Sequence, residues 1–337
     1  MKIGFFELEG WEEPIIKEFL PGEELYFSKE KIVYPDVLPE KNDFDIVSVF
    51  VNSKMDRGAI DYLPNLKLLS TRSTGYDHID LDACAAKGVS PVFVPGYGNN
   101  TVAEYAFGLL LNLTRKMYMS IDQLKETGSF NLAGMRGIDL NGKTMGIIGT
   151  GRIGKIAIKI AKGFGMNVIA YDPFPDENYA KEAGYSYVSL EDLLKNSDAI
   201  SIHVPYTKET HHLINKNNIG LIKKGVYLIN TARGGIVETD ALVKALESGI
   251  LAGAGLDVLE EEGETKDEMF FMREGNPREE KMKTVIENHI LMKMPNVLIT
   301  PHNAFNTNEA LERILRTMLD TIKSFKEGKI INVAQKI

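Results

Sequence analysis

Between the apolar run Thr144–Ile148 and the amphipathic stretch from Lys155, the chain reads Gly149-Thr-Gly151-Arg-Ile-Gly154. Three glycines at this spacing, between a strand and a helix, restrict the local fold severely. Gly149 permits the tight turn, Gly151 lets an anionic group approach the backbone, and Gly154 allows the helix to pack close to the strand. The free N–H donors of the helix start, where Arg152 and Ile153 contribute through their backbone, then suit a pyrophosphate. The next apolar run, Asn167–Tyr171, leads directly into Asp172, eighteen residues beyond Gly154. A carboxylate there can accept hydrogen bonds from both hydroxyls of an adenosine ribose, and it repels a 2′-phosphate. The motif therefore predicts NAD rather than NADP.

The same alternation of short apolar runs and amphipathic stretches extends through the chain. Lys2–Phe6, Asp45–Val51, Leu66–Thr71 and Ser90–Val94 read as strands, with helices at Glu12–Leu20 and Asp80–Lys87. A second series has strands at Thr144–Ile148, Asn167–Tyr171, Ala199–His203, Val226–Asn230, Ala252–Asp257 and Val297–Thr300, before a helix from Asn306 to Phe325. Strands alternating with helices imply βαβ units and largely parallel sheets. Asn99–Met119 reads as one long apolar segment, with Thr101 or Asn100 as N-cap and Glu104 completing a capping box. Its residues Phe107, Leu109, Leu110, Leu111, Leu113 and Met117 are more than one face needs, so the segment is expected to be buried against a second subunit, the alternative being burial within its own domain. Glu260–Lys293 is charged and irregular and reads as an excursion.

With 39 Lys and Arg against 47 Asp and Glu, the net charge is −8. An acidic chain without a basic run is a poor partner for nucleic acid or an anionic membrane. No apolar stretch approaches the roughly 18 residues that span a bilayer. The single cysteine, Cys84, excludes an intrachain disulfide and a multi-cysteine metal site; within ACAAKG it reads as a small buried hydrophobe. No metal is expected, and the composition suits a cytoplasmic protein.

Sheets of this kind place ligands at the carboxyl ends of their strands. There the second series reads His203-Val-Pro205, Asn230-Thr-Ala-Arg233-Gly-Gly235, Asp257 and Pro301-His302. Arg233, just past a buried strand, carries a planar fork suited to a carboxylate, and the His302 ring can face the same crevice. His203 reads as lining the cofactor groove. His211 and His212 fall in a polar loop and read as solvated; His78 and His289 sit in polar contexts.

The glycine motif, Asp172, His203–Thr207, Asn230–Val237, Gly255-Leu-Asp257-Val and Pro301-His302, taken together and in this order, resemble the D-2-hydroxyacid dehydrogenase family over nearly the whole chain. The resemblance implies two Rossmann-like/flavodoxin-like parallel-sheet domains with a cleft between them. Residues 1–99 plus 301–337 would bind substrate, and 100–300 would bind the dinucleotide. It implies NAD-dependent interconversion of a 2-keto acid and its D-2-hydroxy acid. Arg233, Glu262 and His302 would be catalytic, with Glu260 and Glu261 as alternatives in the same acidic run. His302 would exchange a proton with the keto oxygen, Glu262 would stabilise its imidazolium, and Arg233 would grip the carboxylate. Thr231, Ala232 and Asp257 would lie at the nicotinamide, and His203, Val204, Pro205, Thr207 and Thr210 along the adenine side.

Within the family, Thr71–Asp77 resembles the loop whose N–H groups, here of Thr74 and Gly75, receive the substrate carboxylate. Tyr97, in VPGYGNN, and Phe305, in PHNAF, resemble the D-lactate dehydrogenase branch, in which they would face a small substrate such as pyruvate. The separation of Glu262 from His302 is longer than that branch implies and leaves 263–293 without a role. A homodimer is expected. The rival readings are 3-phosphoglycerate or glyoxylate/hydroxypyruvate dehydrogenase, and an NADH-responsive scaffold without catalysis. A phosphorylated substrate needs extra cations, and Arg72 is the one near the Thr74 loop.

Overall fold

The computed structural model describes residues 1–262 and 279–335. The chain divides into two units, Met1–Tyr97 with Asn306–Ile337, and Gly98–Phe305.

In the first unit, β1 (Lys2–Phe5), β2 (Glu24–Phe27), β3 (Ile46–Val49), β4 (Leu68–Thr71) and β5 (Ser90–Val92) form a sheet of order β2-β1-β3-β4-β5. Every pairing is parallel, which is the flavodoxin-like arrangement. The helices α1 (Glu12–Phe19), α2 (Arg57–Tyr62) and α3 (Leu81–Lys87) join these strands. Asp56 and Asp80 cap α2 and α3 by accepting the N–H groups of Ala59 and Ala83, so two of the chain's polar punctuation marks act as N-caps. Strand β2 went unread because it lies at the edge, where its residues are only half-buried or exposed.

In the second unit, Asn99–Met119 is not one helix. Helix α4 (Asn99–Thr114) ends where Lys116 turns left-handed at φ 51°, and α5 (Met117–Thr127) starts afresh. The expected caps are not used. Gly98 is the N-cap of α4, without a side-chain bond, and Thr101 is buried in the first turn. The apolar surplus of α4 is covered within the unit: Ala103, Ala106, Phe107, Leu110 and Leu113 join the core around β6 (Thr144–Ile148) and α6 (Arg152–Gly163). A second subunit is not what buries them. The apolar side chains exposed near this helix belong to α5 and the segment after it, among them Tyr118, Ile121, Leu124, Phe130 and Leu132.

The chain continues through β7 (Asn167–Tyr171), α7 (Glu177–Ala183), β8 (Ser186–Tyr187), α8 (Leu190–Asn196), β9 (Ala199–Ile202) and β10 (Val226–Asn230). Then come α9 (Thr239–Glu247), β11 (Leu251–Leu256), α10 (Glu279–Lys293) and β12 (Val297–Ile299). The seven strands are all parallel, in the order β12-β11-β10-β9-β6-β7-β8. The order reverses between β6 and β9, which opens the crevice where such sheets bind dinucleotides. The reading of Glu260–Lys293 as irregular is corrected over its second half: α10 packs Val285, Asn288 and Leu291 inward. Residues 263–278 lie outside the described part. The chain then returns to the first unit with α11 (Asn308–Lys326), N-capped by Thr307, burying Ile314, Leu315, Met318, Leu319 and Ile322.

Candidate active site

The glycine loop is built as its spacing requires. Gly149 sits at φ 93°, and a Cβ there would lie 2.7 Å from the His203 carbonyl oxygen. A Cβ on Gly154 would lie 2.0 Å from the Gly149 carbonyl oxygen, so both positions accept only glycine. At Gly151, the N-cap of α6, the space around a Cβ is open. Arg152 and Ile153 open the helix behind it. The Tyr171 carbonyl accepts the Gly149 N–H at 2.8 Å, which ties the loop to the end of β7. Asp172 accepts the Thr150 N–H at 2.7 Å, the Thr150 hydroxyl at 2.9 Å and the Phe174 N–H at 2.9 Å.

Across the switch point, the His203 ring Nε2 lies 2.9 Å from Ser201 Oγ, and burial pushes its pKa down to about 4. At that value the ring is neutral near pH 7. Val204 is buried. Pro205, Thr207 and Thr210 close a turn on themselves: the Thr210 hydroxyl donates to the Pro205 carbonyl at 2.6 Å and takes the Thr207 N–H at 2.7 Å. At the end of β10, the buried Thr231 hydroxyl has no hydrogen-bond partner among the described residues. An orphaned hydroxyl in a crevice is one that a bound group would satisfy. Together with the open Gly151 and the carboxylate at Asp172, it makes these residues a fit for NAD.

Arg233, Asp257 and His302 follow three adjacent strands, β10, β11 and β12, whose last residues Asn230, Leu256 and Ile299 stand in register. Asn230 makes the turn that presents Arg233. Its side chain accepts the Ala232 N–H at 3.0 Å and donates to the Arg233 carbonyl at 2.9 Å. An Asn at a strand end is a turn-former in its own right, so this role could have been read from the sequence. Asp257 is 1% exposed, and its carboxylate holds the next loop. It accepts the Thr300 hydroxyl at 2.5 Å and the N–H groups of Asn303 and Ala304 at 2.8 Å each. Burial pushes its carboxyl above the ordinary range, and these bonds oppose the rise. What the bonds enclose is His302, whose own N–H donates to the Asp257 carbonyl at 3.0 Å and whose backbone is left-handed at φ 53°. A non-glycine residue held there carries strain that the surrounding bonds must maintain.

The acidic run resolves into three separate partners. Glu262 Oε2 lies 3.3 Å from His302 Nδ1. Glu261 pairs with Lys281 at 2.9 Å. Glu260 lies 2.7 Å from His212 Nε2 and accepts the Thr239 hydroxyl at 2.7 Å. His212 is therefore half-buried and paired rather than simply solvated, as its loop suggested, and ties down the segment that carries Glu262. A groove of about 840 Å³ in this unit is lined by Asp257, Glu262, Thr300 and Pro301 together with Tyr105, Leu109 and Leu298. Phe305 closes the unit beside Gly98.

In the first unit, Thr74 and Gly75 sit in a loop pinned on both sides. The Thr74 hydroxyl donates to the Val94 carbonyl at 2.8 Å, the Ser73 hydroxyl to the Gly75 carbonyl at 2.6 Å, and His78 lies 3.1 Å from Thr71 Oγ1. The N–H groups of Thr74 and Gly75 donate to no acceptor among the described residues. Arg72, beside this loop, is turned into its own unit. It is 3% exposed, donates to the Phe6 and Glu7 carbonyls at 2.8 and 2.7 Å, and lies 3.6 Å from Glu12. The Tyr97 carbonyl accepts a bond from Arg313 Nε at 2.7 Å.

Residues 107–304 match the family model described as D-isomer specific 2-hydroxyacid dehydrogenase, NAD binding domain. A 2-hydroxyacid dehydrogenase homolog of Zymomonas mobilis is 40% identical over 91% of each chain. A glyoxylate reductase of Thermococcus litoralis is 35% identical over 97% of this chain and 89% of its own. The crystal structure of D-lactate dehydrogenase from Aquifex aeolicus with NAD and lactic acid superposes with a TM-score of 0.84 at 39% identity, covering 97% of this chain and 96% of that one.

Proposed function

Because the chain belongs to the D-isomer specific 2-hydroxyacid dehydrogenase family, in its D-lactate dehydrogenase-like branch, and is an NAD-dependent oxidoreductase, we propose that it interconverts pyruvate and D-lactate. The observation that carries the reading is the Glu262–His302 pair, 3.3 Å apart, on a loop fixed by Asp257 and level with Arg233 along the strand ends. NADH, when bound, supplies the hydride that reaches the carbonyl carbon of the keto acid. Protonated His302 donates its proton to the carbonyl oxygen, so the product is the hydroxy acid. In the reverse direction the neutral ring takes the hydroxyl proton. Glu262 holds the ring through Nδ1 and stabilises its cationic form, leaving Nε2 for the substrate. Arg233 grips the carboxylate and polarises the carbonyl, which orients the reacting carbon. Thr74 and Gly75 are proposed as further carboxylate donors. Tyr97 and Phe305 are proposed to keep the side-chain space small.

Arg72 bears on the choice of substrate. A phosphorylated acid would need a free cation near the Thr74 loop, and Arg72 is committed to two carbonyls and Glu12. Glyoxylate remains the second reading, favoured by the glyoxylate reductase relative. Following NADH oxidation with pyruvate, phenylpyruvate, glyoxylate and phosphohydroxypyruvate in parallel is expected to give the highest kcat/KM with pyruvate. A higher kcat/KM with glyoxylate would favour the second reading, activity confined to phosphohydroxypyruvate would overturn the assignment, and turnover of none would favour a binding role.

A homodimer is proposed on different grounds from the burial of α4. Tyr118, Ile121, Leu124, Phe130 and Leu132 leave an apolar surface on and after α5, with Phe130 86% and Leu132 82% exposed. A surface of this kind suits a second copy of the same chain. Sedimentation is expected at twice the chain mass, and replacing Phe130 and Leu132 by Ser together should shift it to the monomer. The buried thiol of Cys84 and the acidic surface suit the cytoplasm, the proposed location. Among the described residues no helix is long and apolar enough to cross a membrane.

A further inference from the structure

The Asp172 carboxylate stands at the end of a hydrogen-bond chain that crosses three strand ends. Thr150, just past β6, donates its hydroxyl proton to Asp172 Oδ2 at 2.9 Å. A hydroxyl has one proton, so at its 2.8 Å contact with the Tyr187 hydroxyl Thr150 can only accept. Tyr187 therefore donates to Thr150, and its oxygen accepts the Tyr185 hydroxyl at 2.9 Å and the Asp176 N–H at 3.1 Å. Every donor is used once, and the direction is fixed: Tyr185 to Tyr187 to Thr150 to Asp172. Tyr185 is buried, and burial pushes its phenol well above the usual range, so it stays a donor. Strand β8 is two residues long and half-exposed, with little core to offer. What it contributes is the Tyr187 hydroxyl.

The carboxylate is thereby held from several sides. Oδ2 takes both the N–H and the hydroxyl of Thr150, and Oδ1 takes the Phe174 N–H. An aspartate at a strand end without such a chain could rotate its carboxylate away from an incoming anion. This one cannot do so without breaking its charge-assisted bonds to Thr150 and taking the acceptor from that buried hydroxyl.

We propose that Thr150, Tyr187 and Tyr185 are positioning residues for coenzyme choice: they fix the Asp172 carboxylate where it receives an unmodified ribose and repels a 2′-phosphate, so the site prefers NADH to NADPH. The proposal rests on Asp172 as the ribose carboxylate. The full-length chain is titrated with NADH and with NADPH, following the fluorescence of each nucleotide. Thr150→Val is expected to lower the NADH-over-NADPH preference in Kd about tenfold, the scale of one hydrogen bond to a charged group. Tyr187→Phe should act in the same direction, about threefold, and Thr150→Ser should keep the wild-type ratio. A merely structural role would weaken both nucleotides by one factor, and that result, or an unchanged ratio in both variants, overturns the proposal. If Thr150→Val does not fold, Tyr187→Phe decides alone. A wild-type chain that binds neither nucleotide overturns the dinucleotide reading itself and the proposal with it; strong NADH binding with insensitive variants overturns the proposal only.

Discussion

His302→Gln is expected to lower kcat for keto-acid reduction by ~10³-fold while the Kd for NADH stays within about twofold, the size of losing a positioned general acid. Glutamine matches the reach of the ring but cannot shuttle a proton. The loop should survive the change, because Asp257 holds it through Thr300, Asn303 and Ala304 rather than through the ring. Steady-state kinetics in both directions, with nucleotide fluorescence as the binding control, measures the loss. Reduction at near wild-type rate would remove His302 from the chemistry.

The largest expected loss of stability lies in the other unit. Arg72→Ala strips the counter-charge from Glu12, a carboxylate whose residue is 6% exposed and whose pKa burial already raises. It also leaves the Phe6 and Glu7 carbonyls without their donor. Removing one partner of a buried pair costs about 3–5 kcal/mol, a large share of the roughly 5–15 kcal/mol that holds a domain. Trp11, the single tryptophan, lies just before α1 in this unit, so its fluorescence reports unfolding of the right part of the chain. The urea midpoint should fall sharply in Arg72→Ala and recover in part in Arg72→Met with Glu12→Leu, where no charge is left unpaired. A midpoint within experimental error of wild type would show that the pair carries no such weight.

The parts of this molecule that were legible in the sequence are those in which one local rule decides. The glycine loop needs turn, approach and close packing at three fixed positions, and the contacts at Gly149 and Gly154 are what those needs dictate. The parallel strands were legible because buried strands are continuous apolar runs. The break at Lys116 was not, since the apolar pattern runs on through it and only the left-handed backbone separates α4 from α5. The three glutamates at 260–262 are equivalent by composition. They differ only in partners brought from far along the chain: His212, Lys281 and His302. Arg72, too, reads as an available cation until its surroundings show it enclosed by three elements of its own unit.

The second unit leaves and re-enters the first at neighbouring points: a Cβ on Gly98 would lie 4.0 Å from that of Phe305. Everything between can therefore be made and folded as a loop whose ends already meet. The first unit is in the opposite position. During synthesis its five strands emerge first, but α11 and the Val333 bridge that covers β5 arrive only after about two hundred more residues. The nascent chain carries its five amino-terminal strands without α11 to pack beside them while the inserted unit completes itself, and apolar surface left open in such an interval is exposed to aggregation.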